Sequence, residues 1–183
     1  MCINIKPNFI KGYYSRAKLS ENKLYKKRDL VRAMVNYNKC TEIDPNFTKA
    51  YYKQACLYKH KDYEKFGKRD PERAIEILDT IIELEPSFSK AFFQKGLIYE
   101  AENYPKKNLE LAMENYDYCT KIDPNFKEAY LKKVELLKKN SVELNFSKII
   151  YNYDMCSKID PKNVDIYFKK ALLYEDVQFI ERN

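Results

Sequence analysis

Tryptophan is absent from this 183-residue chain, histidine occurs once and glycine only three times. Glycine supplies the positive-φ turns of β-rich architectures, so its scarcity argues against them. The single imidazole, His60 within Lys59-His60-Lys61, excludes most histidine-based catalysis. Gly12, Gly67 and Gly96 are isolated, so there is no phosphate-cradling loop, and nothing resembles a nucleophile–base pair. No enzyme activity, catalytic residue or cofactor is expected. No window approaches the about 18 apolar residues of a membrane span. Met1-Cys2-Ile3-Asn4-Ile5-Lys6-Pro7 lacks the basic-then-apolar pattern of a signal peptide. The five cysteines contain no CxxC pair, which fits a reducing, intracellular and cytoplasmic setting better than a disulfide framework. Without an export signal, the sequons Asn46-Phe47-Thr48 and Asn145-Phe146-Ser147 are read as chance.

What the chain has instead is 17 Tyr, 10 Phe and 33% charged residues. So many aromatics argue against disorder. Tyrosine, with its polar tip, suits half-buried packing seams. Five segments align on a proline: Ile5-Lys6-Pro7-Asn8-Phe9, Ile43-Asp44-Pro45-Asn46-Phe47, Leu84-Glu85-Pro86-Ser87-Phe88, Ile122-Asp123-Pro124-Asn125-Phe126 and Ile159-Asp160-Pro161-Lys162-Asn163. The prolines are 38, 41, 38 and 37 residues apart. After each comes Tyr13-Tyr14, Tyr51-Tyr52, Phe92-Phe93, Tyr130-Leu131 or Tyr167-Phe168. Four residues beyond the first member stands Ala17, Ala55, Gly96, Val134 or Ala171, and two further on Leu19, Leu57, Ile98, Leu136 or Leu173. That spacing predicts one buried stripe on a helix A.

Counting back from each later proline predicts a second helix, B. It carries Ala33, Ala74, Ala112 and Ile149, then Tyr37, Leu78, Tyr116 and Tyr153, then Cys40, Ile81, Cys119 and Cys156. The proline ends helix B, because it lacks an N–H and disfavours helical geometry in the residue before it. Asp29, Asp70-Pro71 and Tyr104-Pro105 read as helix-start signals in the A-to-B connectors. Cys40, Cys119 and Cys156, with Cys2 in the same register, read as small buried residues and not as metal ligands.

This pattern resembles the tetratricopeptide repeat (TPR) family, whose signature is W-x2-L-G-x2-Y, A-x3-F and P. It appears as Tyr51-x2-Gln54-Ala55-x2-Tyr58 with Ala74-x3-Leu78 and Pro86, and as Phe92-x2-Lys95-Gly96-x2-Tyr99 with Ala112-x3-Tyr116 and Pro124. The family's Leu before the small residue is replaced by Arg16, Gln54, Lys95, Lys133 and Lys170. The resemblance implies an all-α, right-handed superhelical solenoid of antiparallel helix pairs across residues 1–183. Its units span about 8–45, 46–86, 87–124 and 125–161, with a terminal helix at 162–183. The connectors exceed the family's, which suggests longer helices protruding as tips on one edge. The chain starts in the register of a helix B and closes on a helix A, as expected for a piece of a longer array or a short protein whose ends dock.

The resemblance also implies a concave groove lined by helix A. One row is Lys11, Lys49, Lys90, Glu128 and Asp165. A second is Tyr14, Tyr52, Phe93, Leu131 and Phe168. A third is Ser15, Lys53, Gln94, Lys132 and Lys169. The carboxylate clamp of TPR co-chaperones is not matched: the corresponding positions of units one to three read Tyr14, Lys18, Lys53, Lys90 and Gln94, and only Lys90 fits. Residues 1–90 hold 19 Lys and Arg against 12 Asp and Glu, whereas residues 91–183 hold 15 of each. The excess concentrates in connector tips, with Lys26, Lys27, Arg28, Lys65, Lys68 and Arg69 forming a basic edge. The expected role is a non-enzymatic scaffold binding a partner protein or peptide of acidic character in the groove. Two alternatives are a structural subunit of a larger assembly and an RNA-associated helical repeat. The RNA reading is less favoured because sequence-reading repeats use two or three base-reading side chains per unit.

Overall fold

The computed structural model describes residues 8–22, 24, 28–59, 70–139 and 145–181, with side chains to residue 175. The described residues form nine α-helices and no strand: α1 Ile10–Glu21, α2 Leu30–Ile43, α3 Thr48–Lys59, α4 Pro71–Leu84, α5 Ser89–Tyr99, α6 Leu109–Ile122, α7 Lys127–Lys139, α8 Phe146–Ile159 and α9 Val164–Glu181. Odd-numbered helices are the A helices and even-numbered ones the B helices. Contacts run between sequence neighbours, together with α3 against α5 across a unit. That neighbour-only pattern makes the chain an all-α solenoid.

Each B-to-A turn is built from the same few residues. Helix B stops at the residue before Asp44, Glu85, Asp123 or Asp160, and the proline follows. The Asp44 and Asp123 carboxylates accept from the N–H groups of Asn46 and Asn125, both at 3.0 Å. Such side-chain turns hold the chain while it reverses into the next helix A. At the other end, Asp29, Asp70, Asn108 and Asn145 cap α2, α4, α6 and α8 by accepting from the N–H three residues on.

The helix-start signal expected at Tyr104-Pro105 is displaced: α6 begins at Leu109 behind Asn108. Tyr104 is buried against Tyr99 instead, ring centroids 6.1 Å apart, inside a connector of consecutive turns. The extra residues therefore fold as turns, and α5 is not lengthened into a protruding tip. The N–H of the capping residue returns to a carbonyl near the end of helix A in three units: Asp29 to Ser20 at 2.9 Å, Asp70 to Tyr58 at 3.0 Å and Asn108 to Tyr99 at 2.9 Å. Both ends of each connector are thus pinned whatever its length, in the manner of an Ω-loop.

The core is a string of four clusters. Ala33, Ala74, Ala112 and Ile149 are fully buried, as are Tyr37, Leu78 and Tyr116. Leu57, Ile98, Leu136 and Leu173 are buried as expected, but their counterpart Leu19 is half exposed. Leu57 packs backward into the cluster of the preceding unit, and among the described residues no helix precedes α1 to do this for Leu19. The tightest seam is in the third unit, where a Cβ on Gly96 would stand 2.4 Å from Cε1 of Tyr116. Gly96→Ala should destabilise the chain by about 1–3 kcal/mol through overpacking. Adding Tyr116→Leu, which recreates the Ala55–Leu78 pairing of the second unit, should recover part of that loss in urea unfolding. An unchanged midpoint for Gly96→Ala would show that the ring moves aside freely.

Candidate partner-binding surface

Lys11, Lys49 and Lys90 occupy the same place near the start of α1, α3 and α5, and all three are exposed. None forms an ion pair with a described residue. Glu128 continues the row on α7, and Asp165 on α9 pairs with Lys169 at 2.7 Å.

The aromatic row is engaged inside the array. Tyr14 meets Tyr37 and Phe47 edge-on, at 5.6 and 5.4 Å between centroids. Tyr52 packs on Phe88 at 5.5 Å, and Phe93 on Tyr116 and Phe126 at 5.6 and 4.8 Å. These residues wedge between their own helix B and the turn phenylalanine of the next unit. Phe168 is the exception, 61% exposed.

Lys53, Gln94 and Lys132 of the third row are tied to the ends of the preceding A helices, a role the sequence reading did not assign. Lys53 pairs with Glu21 at 2.5 Å, and Lys132 with Glu100 at 2.8 Å and Glu135 at 2.8 Å. Between these two rungs, Lys59 donates to Gln94, whose amide donates to the Tyr52 hydroxyl at 3.1 Å. Burial holds the Lys59 ammonium below the ordinary lysine range. Glu21 and Glu100 also face the Tyr37 and Tyr116 hydroxyls, neither of which reaches a hydrogen-bond partner. Burial first, and these carboxylates second, push both phenols far above their usual range.

A second ladder explains the missing family leucine. Lys95 pairs with Asp79 at 2.5 Å, Lys133 with Asp117 at 2.6 Å, Lys170 with Asp154, and Gln54 with Asn38 at 3.0 Å. Every partner lies 16 residues earlier, on the B helix of the unit before. The lysine stems lie along the helix seam while the charged heads reach partly exposed carboxylates.

Of the expected basic edge, Lys26, Lys27, Lys65, Lys68 and Arg69 lie outside the described residues. Arg28 is described, and its Nε donates to the Glu21 carbonyl at 3.4 Å. Among the described residues no group of three or more His, Cys, Asp or Glu is placed to hold a metal. Cys40, Cys119 and Cys156 are fully buried and unpaired. Burial pushes the Cys40 and Cys156 thiols up to about 11 and that of Cys119 up to about 12. A cleft of about 400 Å³ between α6, α7 and α8 is lined by Met113, Asp117, Lys133, Leu137, Ser147, Lys148, Tyr151 and Asn152, none of which belongs to the three rows.

This stack of linked helix pairs defines a TPR-like helical-repeat protein. No family model matches the chain, and no curated protein matches it. Among solved structures it is similar to MamA, with TM-score 0.64 and 19% identity over 90% of this chain and 85% of that one. It is also similar to YrrB, described as a TPR protein with an unusual peptide-binding site, with TM-score 0.62 and 18% identity over 97% and 82%. Yeast Tom70 gives TM-score 0.56 and 20% identity over 92% of this chain and 34% of that one.

Two outcomes follow from the ladders and the thiols. Glu21→Lys should cost about 1–2 kcal/mol by setting two lysines together in a half-buried rung. Adding Lys53→Glu should restore at least half of that in urea unfolding; no recovery would mean that the pair is not coupled. Cys40, Cys119 and Cys156 should react with N-ethylmaleimide at pH 8 at least about tenfold more slowly in the native chain than in urea, since thiolate and access are both lacking. Peptide mass mapping of labelled sites reads this directly.

Proposed function

We propose that this chain is a non-enzymatic protein-interaction scaffold that holds an acidic, extended segment of a partner along its A helices. The observation that carries this reading is the row Lys11, Lys49 and Lys90. It remains exposed on three successive A helices, while Lys53 and Lys132 beside it are consumed by internal pairs. Ammonium groups left to solvent at a regular interval suit a ligand with carboxylates at the same interval. The similarity to a structure described as peptide-binding supports the class of role. Among the described residues no helix is long and apolar enough to cross a membrane, and the proposed setting, from the free buried cysteines, is the cytoplasm.

Helix-packing distance sets successive lysines of this row about 10 Å apart, which an extended chain covers in about three residues. A labelled peptide with Glu at every third position is therefore the probe. Its affinity should fall steeply with salt, since the spacing is comparable with the Debye length of about 10 Å at 0.1 M. Reversing Lys11, Lys49 and Lys90 to Glu should weaken it about tenfold at low salt, mainly through slower association. Amidating the peptide's C-terminus should change little, because the clamp residues are absent. Unchanged binding in the triple variant would remove the row from the site. Tighter binding of a single-stranded RNA of equal charge would favour the nucleic-acid reading instead.

A further inference from the structure

The row of lysines changes sign at its fourth member. Lys11, Lys49, Lys90 and Glu128 are each the second residue of an A helix, since α1 begins at Ile10, α3 at Thr48, α5 at Ser89 and α7 at Lys127. In α3, α5 and α7 the residue that follows is a fully buried alanine, Ala50, Ala91 or Ala129. A buried neighbour at a constant offset gives the row the same facing on each of these helices. All four members are exposed.

The cation next to Glu128 in the chain is already engaged. Lys127 pairs with Asp160 at 2.8 Å. The contact repeats one in the second unit, where the Thr48 hydroxyl donates to Glu85 at 2.9 Å. In both, the first residue of helix A binds the acidic residue of the next proline turn. Glu128 itself forms no ion pair with a described residue. One unit further on, Asp165 is paired on its own helix with Lys169 at 2.7 Å. The row therefore offers a ligand three ammonium groups and then one carboxylate.

We propose that Glu128 selects an arginine in the bound segment, so that the ligand carries Glu, Glu, Glu and Arg at intervals of about three residues from α1 to α7. This rests on the reading of the lysine row as a ligand site and adds an order of charges to it. A uniformly acidic segment long enough to reach α7 sets a carboxylate against Glu128, and like charges in register discriminate against it. A guanidinium meets a carboxylate with two parallel N–H donors, which suits arginine better than lysine.

The probes are four fluorescein-labelled peptides with blocked ends. Two are Glu-x2-Glu-x2-Glu-x2-Arg and Arg-x2-Glu-x2-Glu-x2-Glu, with serine or alanine at x, so that both chain directions are covered. The other two carry citrulline, a neutral isostere, in place of arginine. Each is titrated with the full chain at low salt and read by anisotropy. In one of the two orders the arginine peptide should bind about threefold to fivefold more tightly than its citrulline form. It should do so although it carries less of the negative charge that a chain of net charge +7 attracts. Glu128→Gln should abolish the preference and Glu128→Lys should reverse it. Glu110→Lys makes the same charge change in the first turn of α6, at the other end of the helix pair from the row, and should leave the preference intact. Both glutamates are exposed, and circular dichroism should show unchanged helix content in every variant. Citrulline peptides that bind as tightly as arginine peptides in both orders would overturn the proposal, as would a preference that survives Glu128→Gln. Reversing Lys11, Lys49 and Lys90 to Glu separates the two readings. If that weakens every peptide while arginine confers nothing, the lysine row stands and the order of charges falls. Peptides that ignore the triple reversal, or that never saturate, remove both.

Discussion

In each pair, the approach of the two helices is set by a large helix-B side chain resting near a small helix-A residue. Tyr37 shares a buried cluster with Ala17, Leu78 with Ala55 and Tyr153 with Val134, while Tyr116 lies directly over Gly96. Interior packing tolerates little change in volume, so this contact fixes the spacing and roll of the pair. Aromatic stacking, loop closure and charge pairing all depend on that spacing. The turn phenylalanines Phe47, Phe88 and Phe126 reach the aromatic row of the preceding helix only because the pair stands at this distance.

The charge ladders have a different role. Partly exposed ion pairs are each worth about 1 kcal/mol or less, small beside the apolar clusters they border. Their value lies in position. Lys95, Lys133 and Lys170 each find an aspartate on the preceding helix B, and Lys53 and Lys132 each find a glutamate on the preceding helix A. Sliding one helix along its neighbour would separate both sets at once and leave half-buried ammonium groups without partners. The ladders specify register where the hydrophobic stripe alone would accept a shift of one turn.

Much of this was legible in the residues. Proline spacing gave the turns, and the alanine and tyrosine positions gave the buried stripe, because both follow from local backbone and periodicity rules. Asp29 and Asp70 were recognisable as caps. Asn108 is a weaker local signal than the Tyr104-Pro105 dipeptide, which tertiary burial of Tyr104 overrides. The internal pairs of Lys53 and Lys132 are not legible locally, because pairing across units is not a local property. A signal existed nonetheless: the 16-residue interval from Asp79, Asp117 and Asp154 to Lys95, Lys133 and Lys170 is constant. Leu19 could not be told from Leu57 by sequence, since its exposure depends on what stands before α1.

The residue eight positions after the first aromatic of each A helix alternates in sign: Glu21, Lys59, Glu100, Lys138, Glu175. The residues that face the first three of these from the next unit are Lys53, Gln94 and Lys132. The second and third units are therefore electrostatically matched to each other. Excising the third unit alone would bring Lys132 against Lys59, two cations in a half-buried rung. Excising the second and third together would bring Lys132 to Glu21 and regenerate a rung already present in the chain. Loss of the second and third units together is thus electrostatically neutral, whereas loss of the third alone is not.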